Sequence, residues 1–159
     1  MFGIFRGTSQ LISPISGNTI SLRSVPDMIF SQGIVGQGIA IDSTGDIIIA
    51  PADGEIKVIF ETNHAFAMID KNGVELLIHI GLDTIELNGD GFERLVDEGQ
   101  CVKAGDPIIK IDREKILKSG YSLIVPVVIT NTDILGEINC NEHICTVCGR
   151  DVILSYRLR

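Results

Sequence analysis

A chain of 159 residues can bury a core without staples, because folding at this size removes roughly two thirds of the unfolded chain's surface from water. A formal net charge of -8 and a pI near 4.7 argue against a nucleic-acid groove or an anionic membrane surface, both of which need clustered Lys and Arg. No apolar run approaches the roughly 18 residues of a membrane span, and MFGIFRGTSQ lacks the regions of a secretory signal, so a cytoplasmic setting with reduced cysteines is expected.

Residues 1–10 are expected to form a flexible N-terminal segment, with Met1, Phe2, Ile4 and Phe5 as its apolar side chains. Residues 11–159 are expected to form a single domain of short strands punctuated by Gly, Pro and Asp. The predicted strands are Asn18 to Leu22, Gly38 to Ile41, Asp46 to Ile49, Glu55 to Phe60, Ala65 to Ile69, Val74 to Ile80, Pro107 to Ile111, Leu123 to Ile129 and Val152 to Tyr156. Ser43-Thr44-Gly45 predicts a hairpin loop. Asp112 to Ser119 predicts a short helix, capped by Asp112 and stopped by Gly120.

Seventeen glycines over this pattern indicate an all-β fold, an antiparallel β-sandwich or barrel-sandwich hybrid with one or two short helical turns. Two echoes predict internal duplication. SPISGNTI (Ser13 to Ile20) resembles APADGEIKVI (Ala50 to Ile59), and CVKAGDPII (Cys101 to Ile109) resembles CTVCGRDVI (Cys145 to Ile153).

The stretch GVELLIHIGLDTIEL, Gly73 to Leu87, sets His79 in an otherwise apolar strand. At a period of two, Leu76, Ile78 and Ile80 face one way while Leu77, His79 and Gly81 face the other. A second histidine, His64 in ETNHAFAM, lies on the expected antiparallel neighbour across Lys71-Asn72-Gly73. Folding about Asn72 pairs His64 with a position near Ile80 and leaves His79 one register step away, so a bulge would bring the rings to one face. Each histidine alone also reads as an ordinary core residue. Together they suit metal binding, acid/base catalysis or the carrying of a phosphoryl group, since neutral and protonated imidazole are both accessible near neutral pH. Thr62, two residues before His64 and on the same expected strand face, can fix that ring's tautomer, and a backbone carbonyl can orient the other.

Cys140, His143, Cys145 and Cys148 place four soft ligands within nine residues and raise a structural zinc site. Their spacing is unlike paired Cys-x-x-Cys knuckles, and packing as small hydrophobes is the expected reading, with no metal assigned.

GVELLIHIGLDTIEL resembles, without a gap, the phosphorylation-site motif of the glucose-family IIA proteins of the bacterial phosphoenolpyruvate-dependent sugar phosphotransferase system. VPDMIFSQGIVGQGIAI, APADGEI, FETNHAFAM, NGDGFERLVDEGQCVKAGD and PVVITN resemble that family in the same order, over about Ile12 to Asp133. The stretch from Gly136 onward fits less well. The resemblance implies a single IIA phosphocarrier domain over 11–159, phosphorylated on Nε2 of His79. It further implies that Gly81 supplies the carbonyl holding the other ring nitrogen, that His64 stabilises the phosphoryl group and that Thr62 orients His64. The implied donor is the phosphohistidine of HPr, and the implied acceptor is a cysteine on the IIB domain of a sugar transporter. Met28, Ile29, Phe30, Val35, Phe60, Phe66, Leu77 and Ile85 are then expected to form an apolar docking rim, with Asp27 and Asp83 as its acidic edge. No cofactor is required, although the histidine pair can take adventitious or partner-supplied zinc. Two rival readings are a zinc-dependent hydrolase with His64 and His79 as ligands and Asp83 as the candidate third, and a regulatory module that docks without catalysis.

Overall fold

The computed structural model describes residues 7–159. Met1, Phe2, Ile4 and Phe5 lie outside the described residues. The strands in chain order are β1 (Ser9–Ile12), β2 (Gly17–Ser21), β3 (Gln37–Ser43), β4 (Ile47–Ile49), β5 (Gly54–Ile59), β6 (Ala65–Asp70), β7 (Glu75–His79), β8 (Phe92–Arg94), β9 (Cys101–Val102), β10 (Pro107–Ile111), β11 (Ile124–Ile129), β12 (Leu135–Cys140), β13 (Cys145–Thr146) and β14 (Val152–Leu158). Two short α-helices, α1 (Met28–Ser31) and α2 (Arg113–Lys118), begin at Asp27 and Asp112, whose carboxylates accept from the backbone N–H groups of Ile29 and Lys115.

The strands pair antiparallel into one large sheet, ordered β13-β2-β3-β11-β7-β6-β5-β9, and two smaller ones, β1-β14-β12 and β4-β10-β8. The fold is all-β. Alternation along β7 divides its side chains as expected. Leu76 and Ile78 join the main core with Phe66, Ile109, Val127 and Leu154, while Leu77 packs outward on a second cluster of Leu22, Val25, Phe30, Ala40, Leu82 and Val128. Each fully buried aliphatic or aromatic side chain in these layers contributes about 1.5–3 kcal/mol.

The duplication shows in the pairing. The large sheet reads the same from either end: β2 and β5, which open the first echo at Gly17 and Gly54, each carry a two-residue edge strand from the second echo. Thr146 pairs with Gly17 and Cys145 with Asn18, just as Val102 pairs with Gly54 and Cys101 with Glu55. Thr146 is thus the counterpart of a buried valine, and its own buried hydroxyl has no hydrogen-bond partner among the described residues. An unpaired buried hydroxyl carries a desolvation cost of about 1–3 kcal/mol. Thr146→Val is therefore expected to raise the thermal midpoint, and a lowered midpoint would contradict that account.

Three expectations change. Ser9 and Gln10, expected within a flexible segment over residues 1–10, belong instead to β1, where Ser9 pairs with Tyr156. Ser43-Thr44-Gly45 is not a hairpin loop. β3 and β4 lie in different sheets, and the corner between them is held by Arg113, which donates to Ser43 Oγ and Gly45 O at 2.9 Å and to Ser43 O at 2.8 Å. Strands β1, β8, β9, β12 and β13 were not predicted, being too short or too polar for alternation to mark them.

Candidate active site

The β6–β7 hairpin carries the histidines. Its turn is set by the buried Asp70, whose carboxylate accepts from the N–H groups of Asn72 and Val74 at 2.9 Å and from the Tyr156 hydroxyl. Gly73 turns the chain at φ +86°. Ala65 then pairs with His79, and Ile80 N–H donates to His64 O at 2.7 Å, which sets His64 opposite Ile80 as the sequence predicts. The expected bulge is absent from this pair of strands, and strict alternation would put the two rings on opposite faces. They meet because both strands end there. Asn63 and Gly81 adopt left-handed conformations, φ +58° and +86°, on either side of the pair, and the ring centroids lie 5.0 Å apart at 78°.

His79 Nδ1 lies 2.7 Å from Gly81 O. A carbonyl only accepts, so Nδ1 carries the proton and Nε2 keeps a lone pair. Burial lowers the pKa of His79, against the opposing effects of the Gly81 carbonyl, Asp27 and Asp83. His64 is 2% exposed, and burial together with neighbouring His79 pushes its pKa down to about 4. Its Nδ1 lies 2.5 Å from the Thr62 hydroxyl. With the hydroxyl donating, Nε2 of His64 is left as an N–H donor. Thr62 is in the turn before β6, not on a shared strand face.

The site needs Gly81. A Cβ there would lie 2.5 Å from Thr84 Cγ2 and 2.6 Å from Ser122 O. Thr84, fully buried, donates to Ile80 O at 2.7 Å and holds the same turn from beneath.

Around the pair, Met28, Ile29, Phe60 and Ile85 are exposed, Val35 and Leu77 are partly buried, and Asp83 is exposed beside half-buried Asp27. Two rim expectations do not hold. Phe66 is 0% exposed within the main core, because its side chain shares the inward face of β6 with Met68. Phe30 is 4% exposed, its ring standing edge-on to His79 at 5.2 Å as the wall of the site. Ile34, 69% exposed beside Ile29, was missed, although an isoleucine one residue after Gly33 in a turn was a readable sign of an exposed apolar side chain. A surface hollow of about 760 Å³, lined by Phe92, Lys110 and Arg113 among others, lies elsewhere and holds neither histidine.

Residues 9–135 match the model of the phosphoenolpyruvate-dependent sugar phosphotransferase system EIIA 1 family. The chain belongs to this family. A glucose-specific EIIA component from Haemophilus influenzae is 44% identical over 150 residues, covering 93% of this chain and 89% of that protein. Another from Bacillus cereus is 38% identical over 161 residues, covering 100% and 98%. The N-acetylglucosamine-specific EIICBA component of Klebsiella pneumoniae is 47% identical over 124 residues, 78% of this chain but 19% of that protein. The solved structure of glucose permease IIA from Mycoplasma capricolum matches with a TM-score of 0.86 and 32% identity, covering 97% of this chain and 99% of that one.

As an EIIA family member the chain belongs to a phosphotransferase system for sugar transport. Among the described residues no helix is long and apolar enough to cross a membrane. The family match ends at Leu135, before the cysteine-rich stretch. Among the described residues no three or more His, Cys, Asp or Glu side chains converge as metal ligands, neither there nor around His64, His79 and Asp83. Cys140 donates to Gly38 O at 3.3 Å and Cys148 lies 3.5 Å from Pro14 O, while Cys145 is exposed at the sheet edge. Burial pushes the Cys140 thiol up to about 11 and raises that of Cys148, which keeps both protonated.

Proposed function

We propose that this EIIA chain is a phosphocarrier that accepts a phosphoryl group from phospho-HPr on Nε2 of His79 and passes it to a cysteine of a IIB domain. The Nε2 lone pair attacks phosphorus as the N–P bond of the donor breaks, and the donor nitrogen keeps that bond's electron pair. In the second half the cysteine thiolate attacks, and the N–P bond to His79 breaks in turn. Neither half needs a cofactor, since an imidazole nitrogen supplies the first nucleophile and a thiolate the second. The observation that carries the reading is the Gly81 carbonyl on Nδ1, which leaves Nε2 of a neutral ring as the free nitrogen beside His64.

The surroundings support this role. Met28, Ile29, Phe60 and Ile85 offer an apolar docking surface that excludes water during transfer, and Asp27 and Asp83 offer carboxylates to a partner's arginine. The EIICBA component of Klebsiella pneumoniae and the EIIBCA component of Corynebacterium glutamicum contain the matched stretch within longer proteins, which supports an acceptor on the B unit of a transporter. Residues 11–159 would act as one IIA domain, at the cytoplasmic side where such donors operate.

The test is to mix the protein with phosphoenolpyruvate, enzyme I and HPr. One acid-labile phosphoryl group per chain is expected, localised to His79 by mass spectrometry; phosphate on another residue, or none, overturns the reading. The nucleophile is neutral His79, whose pKa lies below the ordinary 6.5, so the uptake rate should hold as pH falls through 6.5 and decline only in more acid solution. A rate already halved at pH 6.5 would contradict the buried environment of the ring.

A further inference from the structure

His64 leaves its strand through a turn that is held from another sheet. Asn63 is left-handed at φ +58°, a conformation asparagine tolerates better than most residues, and its N–H closes the turn on Phe60 O at 2.7 Å. From β8, Arg94 Nε donates to Asn63 Oδ1 at 2.8 Å, and Nη2 reaches Phe60 O at 3.4 Å. The turn so gripped supplies two of the contacts that fix the His64 ring: the Thr62 hydroxyl on Nδ1 and the Phe60 ring edge-on at 5.4 Å. A planar guanidinium can bridge two acceptors in fixed geometry, which a lysine ammonium does not reproduce.

We infer that Arg94 is a positioning residue for phosphoryl transfer: by clamping the Phe60–Asn63 turn from β8 it holds the His64 ring against His79. The inference rests on the phosphocarrier reading for its effect on transfer, but not for its effect on the ring. Arg94 touches neither histidine and acts through Asn63 and Phe60. Its removal therefore frees the turn while leaving His79, Gly81 and the nucleophilic nitrogen in place.

The experiment compares Arg94→Ala, Arg94→Lys and Asn63→Gly, the last of which keeps the left-handed turn and removes only the acceptor. Arg94→Ala and Asn63→Gly should each take phosphate on His79 and pass it to a IIB domain about tenfold more slowly, the loss expected for one hydrogen bond to a charged group. Combining them should slow transfer no further, and Arg94→Lys should fall between Arg94→Ala and the parent. Added to His64→Ala, Arg94→Ala should have no effect. In the unphosphorylated protein, NMR titration should show the His64 pKa rising toward its ordinary value while that of His79 stays put. Unchanged transfer with an unchanged His64 titration overturns the inference, as does equal slowing when His64 is already alanine. Should Arg94→Ala fail to fold, Asn63→Gly decides alone, since it leaves β8 untouched. A parent chain that took up no phosphate would overturn the phosphocarrier reading, while the NMR titration would still settle whether Arg94 holds the ring.

Discussion

His79→Ala is expected to take up no phosphate at all, whereas His64→Ala is expected to take it up and hand it on slowly. The two rings differ in what their hydrogen bonds leave free. Gly81 O fixes the proton of His79 on Nδ1 and leaves the Nε2 lone pair as the nucleophile of the proposed transfer. With the Thr62 hydroxyl donating to His64 Nδ1, the proposed transfer has the Nε2–H of His64 to meet the phosphoryl oxygens. Before transfer His64 is neutral, its pKa near 4, and adds no positive charge to the site. Arrival of a phosphoryl dianion favours its protonated form, because an opposite charge within a few ångströms raises an imidazole pKa. Removing such a charge-assisted donor costs about 1.5–3 kcal/mol, or roughly 10- to 100-fold in the rate of passage to a IIB domain. Rapid-quench transfer from the purified phosphoprotein measures it. Donation by His64→Ala at the parental rate would remove His64 from the mechanism, and phosphate on His79→Ala would displace His79 itself.

Gly81→Ala is expected to cost about 2–4 kcal/mol of folding stability, through a left-handed alanine and through overpacking. At φ +86° the new methyl would press on Thr84 Cγ2 and on the backbone oxygen of Ser122, and that oxygen accepts from Leu82 N–H at 3.2 Å, so it cannot move without breaking a bond. Relief would come from swinging the Gly81 peptide, which takes its carbonyl away from His79. Gly73 has the same φ of +86° but nothing within 4 Å of an added Cβ. Gly73→Ala thus isolates the conformational part, about 1–2 kcal/mol. Urea denaturation of both variants gives the comparison, and phosphate uptake should fall in Gly81→Ala only. Equal stability losses at the two glycines would show that crowding by Thr84 and Ser122 contributes nothing.

Much of the frame was legible because it depends on local chemistry. β7 follows from alternation, β6, β10 and β11 from short apolar runs bounded by turn residues, and the pairing of His64 with Ile80 from counting outward from Asn72. The helix from Arg113 to Lys118 follows from an aspartate cap and a closing glycine. Other parts had no local sign. A two-residue strand such as β9 or β13 carries no period, and Ser43-Thr44-Gly45 has the composition of a hairpin loop whether the next strand folds back or crosses to another sheet. Phe66 and Phe60 look alike in sequence, yet one is core and the other surface, because β5 ends at Ile59 while β6 runs on beneath its neighbours.

By itself the sequence determined the all-β class, the duplicated strand units, the hairpin that carries both histidines and the motif that places the chain among the EIIA proteins. Tertiary structure alone decided that the two rings meet. Period-two alternation assigns them to opposite faces, and only the left-handed residues at both strand ends, one packed on Thr84 and the other gripped by Arg94 from a separate sheet, turn them toward each other. Those contacts join residues far apart in the chain, which a local pattern does not record.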